Sequence, residues 1–115
     1  MALTVNPVAG TPPGLIVWNY DNLDTADSAP TAIEAGGFQP VFGSLQAIGT
    51  FGSGTVKLQG SNDGTNYADL NDVTGTAIGL TEAGAVEFST TMRYIRPLVT
   101  GGTGDDIDVF IALRG

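Results

Sequence analysis

Aspartates are the residues of this chain with the greatest capacity for chemistry. Six of the nine form two groups, one in a polar segment and one near the C-terminus: Asp21, Asp24 and Asp27, and Asp105, Asp106 and Asp108. Calcium prefers oxygen ligands of this kind, and two facing carboxylates could serve a glycosidase. Neither group has the Asp-x-Asp-x-Asp-Gly spacing of a calcium loop, and no pattern places two carboxylates across a cleft. We therefore expect a solvated acidic surface.

The other residue types that commonly carry catalysis are missing or unsupported. The chain has no histidine and no cysteine, which removes the commonest general base, the commonest zinc ligand and every thiolate or disulfide. Its serines, among them Ser53, Ser61 and Ser89, have no histidine or lysine motif to activate them. We predict no enzymatic activity, no catalytic residue, no metal and no cofactor.

A polar segment between two hydrophobic runs is the strongest local signal. Residues 61–66 read Ser-Asn-Asp-Gly-Thr-Asn, and an Asp-Gly pair tolerates the positive φ of a tight hairpin turn. Such a tip either closes two strands or displays a recognition loop. For the second role the candidate residues are Asn62, Asp63, Asn66 and Tyr67.

Composition limits the partners and the location. The net charge of −8 over 115 residues would repel phosphate backbones, so nucleic acid is not an expected partner. No segment approaches the roughly 20 apolar residues of a membrane span, and Met1-Ala-Leu-Thr lacks the start of a signal peptide. We expect no membrane partner and synthesis in a cytoplasm.

The elements that must position these residues are β-strands. The chain has 17 glycines and is 42% hydrophobic, and its glycines separate short runs rich in Val, Ile, Phe and Thr. This pattern is typical of an all-β domain with many turns. It predicts an antiparallel β-sandwich of about eight short strands over residues 15–115, with residues 1–14 as an N-terminal arm or edge strand.

Alternating apolar residues predict the faces of individual strands. Along residues 106–114, Ile107, Val109, Ile111 and Leu113 share one face, and Val56 and Leu58 do so in the run 55–59. We interpret the last two strands, 92–100 and 106–114, as a hairpin. Further short strands are expected at 38–41, 45–51, 77–80 and 85–89, and at most one helical turn at 31–35. Pro97 belongs on an edge or at a bulge.

Two segments carry a resemblance to known families. Residues 58–67, Leu-Gln-Gly-Ser-Asn-Asp-Gly-Thr-Asn-Tyr, and residues 92–100, Met-Arg-Tyr-Ile-Arg-Pro-Leu-Val-Thr, resemble segments of discoidin-type jelly-roll modules. They also resemble segments of small tailed-phage virion proteins, whose length and lack of cysteines match this chain better. The first resemblance implies a jelly-roll-like sandwich. The second implies a capsid decoration (cement) protein on the head surface of a virion.

From this resemblance we expect a structural protein that binds the major capsid protein across capsomers, as a homo-oligomer and preferably a trimer. The candidate contacts with the capsid or a neighbouring subunit are Leu3, Val5, Pro7, Arg93 and Arg96. Two alternatives remain open: a carbohydrate-binding jelly-roll module, with a glycan held at the hairpin tip, and a tail or fibre component.

Overall fold

The computed structural model of the chain describes residues 4–7, 15–27, 30–34 and 41–114. All regular structure in these residues is β-strand. The nine strands are β1 (Thr4–Pro7), β2 (Leu15–Leu23), β3 (Ile33–Glu34), β4 (Val41–Thr50), β5 (Thr55–Ser61), β6 (Ala68–Asp69), β7 (Gly84–Thr90), β8 (Tyr94–Thr100) and β9 (Asp106–Arg114).

The strands form two antiparallel sheets. The five-stranded sheet has the order β1-β2-β9-β4-β7, and the four-stranded sheet has the order β3-β8-β5-β6. When β1 is set aside, the eight remaining strands divide four and four, in the order of a double Greek-key jelly roll. The expected all-β, jelly-roll-like sandwich is confirmed, with one strand more than the approximate number predicted.

The core lies between the two sheets and is made by the alternating residues. The side chains of Ile107, Val109, Ile111 and Leu113 are fully buried, as are those of Val56 and Leu58. Because successive side chains of a strand point to opposite faces, each strand contributes one apolar row to the core. The faces predicted for β5 and β9 are confirmed.

One glycine permits the close contact between β4 and β9. A Cβ built on Gly43 would overlap the carbonyl oxygen of Ala112 and lie 2.8 Å from Cζ of Phe88. No side chain fits between these backbones, so glycine at this position allows the two central strands to pack closely.

The predicted terminal hairpin is wrong. β8 pairs with β3 and β5 in one sheet, whereas β9 pairs with β2 and β4 in the other. The connection after Thr100 therefore crosses between sheets. Alternation shows which face of a strand is buried, but it does not identify the neighbouring strand, and a short glycine-rich link fits either arrangement.

Smaller predictions were also corrected. The segment expected to make a helical turn contains β3, whose Ile33 pairs with Ile95. The strand expected at 77–80 is reduced to two isolated bridges, at Ala77 and Leu80. The strand expected at 45–51 starts earlier, at Val41. The one expected at 38–41 lies outside the described residues except for Val41.

Pro97 is buried and lies on an inner strand of the four-stranded sheet. The short strand β3 pairs only with Tyr94 and Ile95 of β8, so Pro97 lies beyond this pairing and is matched on the other side by Leu58. Its missing N–H is tolerated because this part of β8 has no ladder with β3.

Candidate functional site

The hairpin tip between β5 and β6 is organised around one carboxylate. Oδ1 of Asp63 accepts hydrogen bonds from the backbone N–H groups of Asn66 and Thr65 and from the Ser61 hydroxyl, each at 2.8 Å. Its Oδ2 accepts a fourth, from the Asn66 side-chain amide, also at 2.8 Å. These bonds, led by the Asn66 N–H, hold the pKa of Asp63 well below its usual range. The tip is therefore an ordered, negatively charged turn.

Two further contacts fix the tip against β8. The Asn62 side-chain oxygen accepts a hydrogen bond from the backbone N–H of Arg93 at 3.1 Å. Gly64 has a φ of 77°, the positive value expected from the Asp-Gly pair, and a Cβ at this position would approach the Tyr94 ring to 3.3 Å. The tip thus lies directly beside the start of β8.

Arg96 and Tyr67 form the centre of the candidate site. The guanidinium carbon of Arg96 lies 3.8 Å from the centroid of the Tyr67 ring, a stacked cation–π contact. Its Nε donates to Oε1 of Gln59 at 3.1 Å, across the register of β5 and β8. The sequence placed Tyr67 in a recognition loop and Arg96 in a capsid contact, but the fold stacks them together.

An open hollow of about 510 Å³ lies beside this stack. We call it the tyrosine–arginine hollow; its lining residues are Pro30, Ala32, Asp63, Gly64, Tyr67, Tyr94 and Arg96. Of the four loop candidates, Asp63 and Tyr67 line the hollow, whereas Asn62 and Asn66 serve the tip through their hydrogen bonds. Pro30, Ala32 and Tyr94 were not predicted as site residues, because only tertiary packing brings the segment before β3 and the start of β8 to the hairpin tip.

A buried tyrosine anchors the wall of the hollow. The Tyr20 side chain is fully buried, and its hydroxyl donates to the carbonyl oxygen of Thr31 at 2.6 Å. Burial raises the pKa of Tyr20 well above its usual range, so this hydroxyl remains protonated and acts as a fixed donor. Thr31 lies between Pro30 and Ala32, so the bond holds both lining residues.

The capsid-contact candidates are spread over the molecule. Arg93 is exposed and forms an ion pair with Glu34, with 3.2 Å between Nη2 and Oε1. Val5 and Pro7 lie on β1, the edge strand beside β2, at register positions opposite Tyr20 and Trp18. Leu3 lies outside the described residues.

The aspartate groups do not form a uniform solvated surface. Asp105 is buried, and its Oδ2 accepts hydrogen bonds from the backbone N–H of Thr25 at 2.9 Å and from the Thr25 hydroxyl at 2.8 Å. Asp108 accepts a bond from the N–H of Asn22, at the irregularity in β2. The prediction of a solvated surface is therefore wrong for Asp105, which ties two distant loops together.

In the described part of the chain, no side chains gather into a group of three or more His, Cys, Asp or Glu residues that could hold a metal ion. No helix in the described ranges is long and apolar enough to cross a membrane.

A second hollow, of about 230 Å³, lies on the outer face of the five-stranded sheet. We call it the Phe42–Val73 hollow; its lining residues are Phe42, Gly43, Ser44, Val73, Glu87, Phe88 and Ala112. The Phe42 side chain is 55% exposed and that of Val73 is 62% exposed. Neither residue belongs to a sequence motif. Only the fold brings the loop around Val73 beside β7, where the Val73 N–H donates to the carbonyl oxygen of Glu87, and so close to Phe42.

Comparison with known proteins assigns no family. No family model matches the chain, and no curated protein matches it. Among solved structures, it is similar to one described as Fe(II)-HppE with the alternative substrate (S)-1-HPP, at 14% identity and a TM-score of 0.45. The match covers 96% of this chain and 48% of the other, so this chain spans about half the length of that protein.

Proposed function

We propose that the chain is a structural protein of a tailed-phage virion, a decoration (cement) protein that binds the outer head surface across capsomers and stabilises it. Its partner would be the major capsid protein. The resemblance of residues 58–67 and 92–100 to phage virion proteins supports this proposal. In the fold these segments form most of β5 with its tip, and β8 with the two residues before it, on neighbouring strands of one sheet.

The observation that carries the proposal is the Phe42–Val73 hollow. Contiguous exposed apolar side chains mark sites of protein contact. Glu87 is the only titratable residue among those that line this hollow, although the chain as a whole has a net charge of −8. An apolar side chain projecting from a capsid subunit would bury Phe42 and Val73 without meeting a dense acidic surface.

The scaffold has the physical properties that a decoration protein needs. A core enclosed between two sheets gives a rigid body, and the net charge of −8 opposes non-specific aggregation before attachment. Copies would then gather in large numbers only on the capsid shell. There, apolar contacts with a complementary capsid surface would overcome the electrostatic repulsion between the negatively charged copies.

The earlier contact candidates complete the proposal. β1 is an edge strand, so a strand of a capsid subunit or of a second copy could pair with it, with Leu3, Val5 and Pro7 as contacts. Arg93 and Arg96 are two of only four basic residues in the chain and would face acidic groups of the capsid. Placement on a tail or fibre remains the alternative site of attachment.

Binding to capsids tests the proposal. Heads of the encoding phage, assembled without this protein, are titrated with the purified chain, and occupancy is measured by co-sedimentation. We expect saturable binding, and a loss of affinity of about tenfold or more in the double variant Phe42→Ser with Val73→Ser, since two apolar contacts are removed. Ile48→Ser is the matched control, because Ile48 is exposed on the same strand outside the hollow. Absence of saturable binding by the wild type would contradict the proposal.

The same assay tests the arginine pair. The double variant Arg93→Ala with Arg96→Ala should still fold, because the exposed ion pair of Arg93 contributes little to stability. It should attach to the capsid more weakly, because two positive charges that would face acidic capsid groups are removed. Unchanged occupancy would remove both arginines from the interface. Immunogold labelling of virions distinguishes head from tail placement.

A further inference from the structure

We propose that the tyrosine–arginine hollow is a binding site for a neutral saccharide residue. This site shares no residue with the Phe42–Val73 hollow and lies on the other sheet, but Arg96 is also one of the candidate capsid contacts. Glycan binding is therefore measured on the free chain, separately from attachment to a capsid. It rests on four features of the described residues: aromatic walls, free hydrogen-bond donors, a fixed acceptor and the sign of the charge.

The walls of the hollow suit a ligand with both polar and apolar faces. Tyr67 and Tyr94 are half-buried and line the hollow. One face of each ring is next to a guanidinium, that of Arg96 at 3.8 Å and that of Arg93 at 5.0 Å from the ring centroid. The rest of each ring, with Pro30 and Ala32, forms the apolar part of the hollow. Small-ligand sites are typically lined by such aromatic and apolar groups with a few placed polar ones. The C–H face of a pyranose ring can pack against these walls while its hydroxyls remain free.

Arg96 supplies the donors. A guanidinium has five N–H groups in a planar fork, and the Nε–H is used on Gln59. Within the described residues, the four N–H groups of its two terminal nitrogens have no hydrogen-bond acceptor. Since the Tyr67 ring fixes the guanidinium plane, these donors are pre-oriented toward a ligand in the hollow.

Asp63 supplies the acceptor. Its Oδ1 is fully used by the tip, whereas its Oδ2 accepts one bond, from the Asn66 amide, and keeps a lone pair free. A saccharide hydroxyl both donates and accepts. Neighbouring hydroxyls of one sugar ring therefore match a site that offers a guanidinium donor and a carboxylate acceptor together.

The charge distribution favours a neutral ligand. Asp63 remains ionised in the same hollow as Arg96, and the chain carries a net charge of −8. A phosphate or carboxylate attracted by Arg96 would be repelled by Asp63 and by the field of the whole protein. A sugar without charge can use the donor and the acceptor without this penalty.

The site is also ordered before any ligand binds. The tip hydrogen bonds hold Asp63, the stack and Gln59 hold Arg96, and the Tyr20 hydroxyl holds the wall at Thr31. Binding to groups that are already positioned avoids the entropy cost of ordering them.

A glycan array, followed by NMR titration of the hits, tests the inference. The array contains neutral glycans and their sialylated counterparts, and the probe is the full-length purified chain. We expect saturable binding of at least one neutral glycan, with shifts in the signals of Tyr67, Tyr94 and the Arg96 side chain. Arg96→Met should weaken this binding about tenfold or more, since charge-assisted hydrogen bonds are lost while the apolar stem is kept.

Two further variants make the result decisive. Tyr94→Leu removes an aromatic wall and should also weaken binding, and it replaces Arg96→Met if that variant does not fold. Lys57→Met is the matched control, because Lys57 lies on the adjacent strand outside the hollow and should bind as the wild type does. The inference is overturned if no neutral glycan binds, if only sialylated glycans bind, or if Arg96→Met and Tyr94→Leu keep full affinity.

Discussion

The aspartates of this protein have different roles because their surroundings differ. Asp105 is buried and joins two loops through Thr25, whereas its neighbour Asp106 is exposed at the start of β9. Asp63 is exposed, but four hydrogen bonds surround its carboxylate. Function at these positions is set by local geometry rather than by residue type.

We predict that Asp105→Ala lowers the free energy of unfolding by about 1–3 kcal/mol, because it leaves the Thr25 N–H and hydroxyl without their acceptor in a part-buried site. Urea denaturation followed by circular dichroism measures the change. The control Asp106→Ala should stay within about 0.5 kcal/mol of the wild type. Equal effects of the two variants would show that the Asp105 bonds contribute nothing.

The carboxylate of Asp63 should make stability depend on pH. Its pKa in the folded chain lies below the ordinary aspartate value of 3.8, so its contribution to stability is fully present above 3.8 and is lost as the pH falls through the folded pKa. Asp63→Asn removes this contribution. The difference in Tm between wild type and Asp63→Asn should be largest near neutral pH and should shrink below 3.8. Asp106→Asn is the control for the loss of an exposed carboxylate. The prediction is refuted if Asp63→Asn lowers Tm near neutral pH no more than Asp106→Asn does.

Strands of similar pattern acquire different neighbours in this fold. β8 and β9 both alternate apolar and polar residues, yet β8 is an inner strand of the four-stranded sheet and β9 is the middle strand of the five-stranded sheet. The apolar side chains of each strand pack against the opposite sheet, so the same alternation fits a strand in either sheet. What separates them is the set of contacts along the whole strand, such as the close approach of β4 to β9 at Gly43.

The five-stranded sheet has an isoleucine on its inward face and another on its outward face that can be compared by the same substitution. Ile111 is fully buried on β9, whereas Ile48 on β4 is 41% exposed. Ile111→Ala should lower the free energy of unfolding by about 2–5 kcal/mol through lost burial and a cavity, and Ile48→Ala by much less. Chemical denaturation of both variants is the measurement. Comparable losses would mean that β9 does not pack as described.

The molecule as a whole places its two hollows on different sheets. In the two proposals, the Phe42–Val73 hollow would contact a shell protein and the tyrosine–arginine hollow would bind a saccharide residue. The edge strand β1 adds a third surface, at the side of the five-stranded sheet away from β7.

Oligomerisation is predicted for the whole molecule. Small attached domains gain avidity when they group, and we expect a trimer in solution. Light scattering after gel filtration should give three times the chain mass of 11.7 kDa. If β1 pairs between copies, removing residues 1–7 should reduce the number of chains per particle below three. A monomeric wild type at high concentration would refute the trimer.

The sequence by itself determined most of the strands, the buried faces of β5 and β9, and the hairpin tip. Local rules suffice for these, because alternation with a period of two and the turn preference of Asp63-Gly64 act over a few residues. The absence of histidine and cysteine likewise limits the available chemistry without reference to any fold.

Only the tertiary structure decided which strands are neighbours and which side chains share a site. Three contacts join residues that are distant in the chain: the pairing of β9 with β2 and β4, the hydrogen bonds of Asp105 with Thr25, and the stack of Arg96 on Tyr67. Such contacts arise from packing two sheets around one core, and many pairings of similar apolar strands satisfy the same local pattern. The two hollows therefore have no signature in the sequence, because each is formed where separate segments meet.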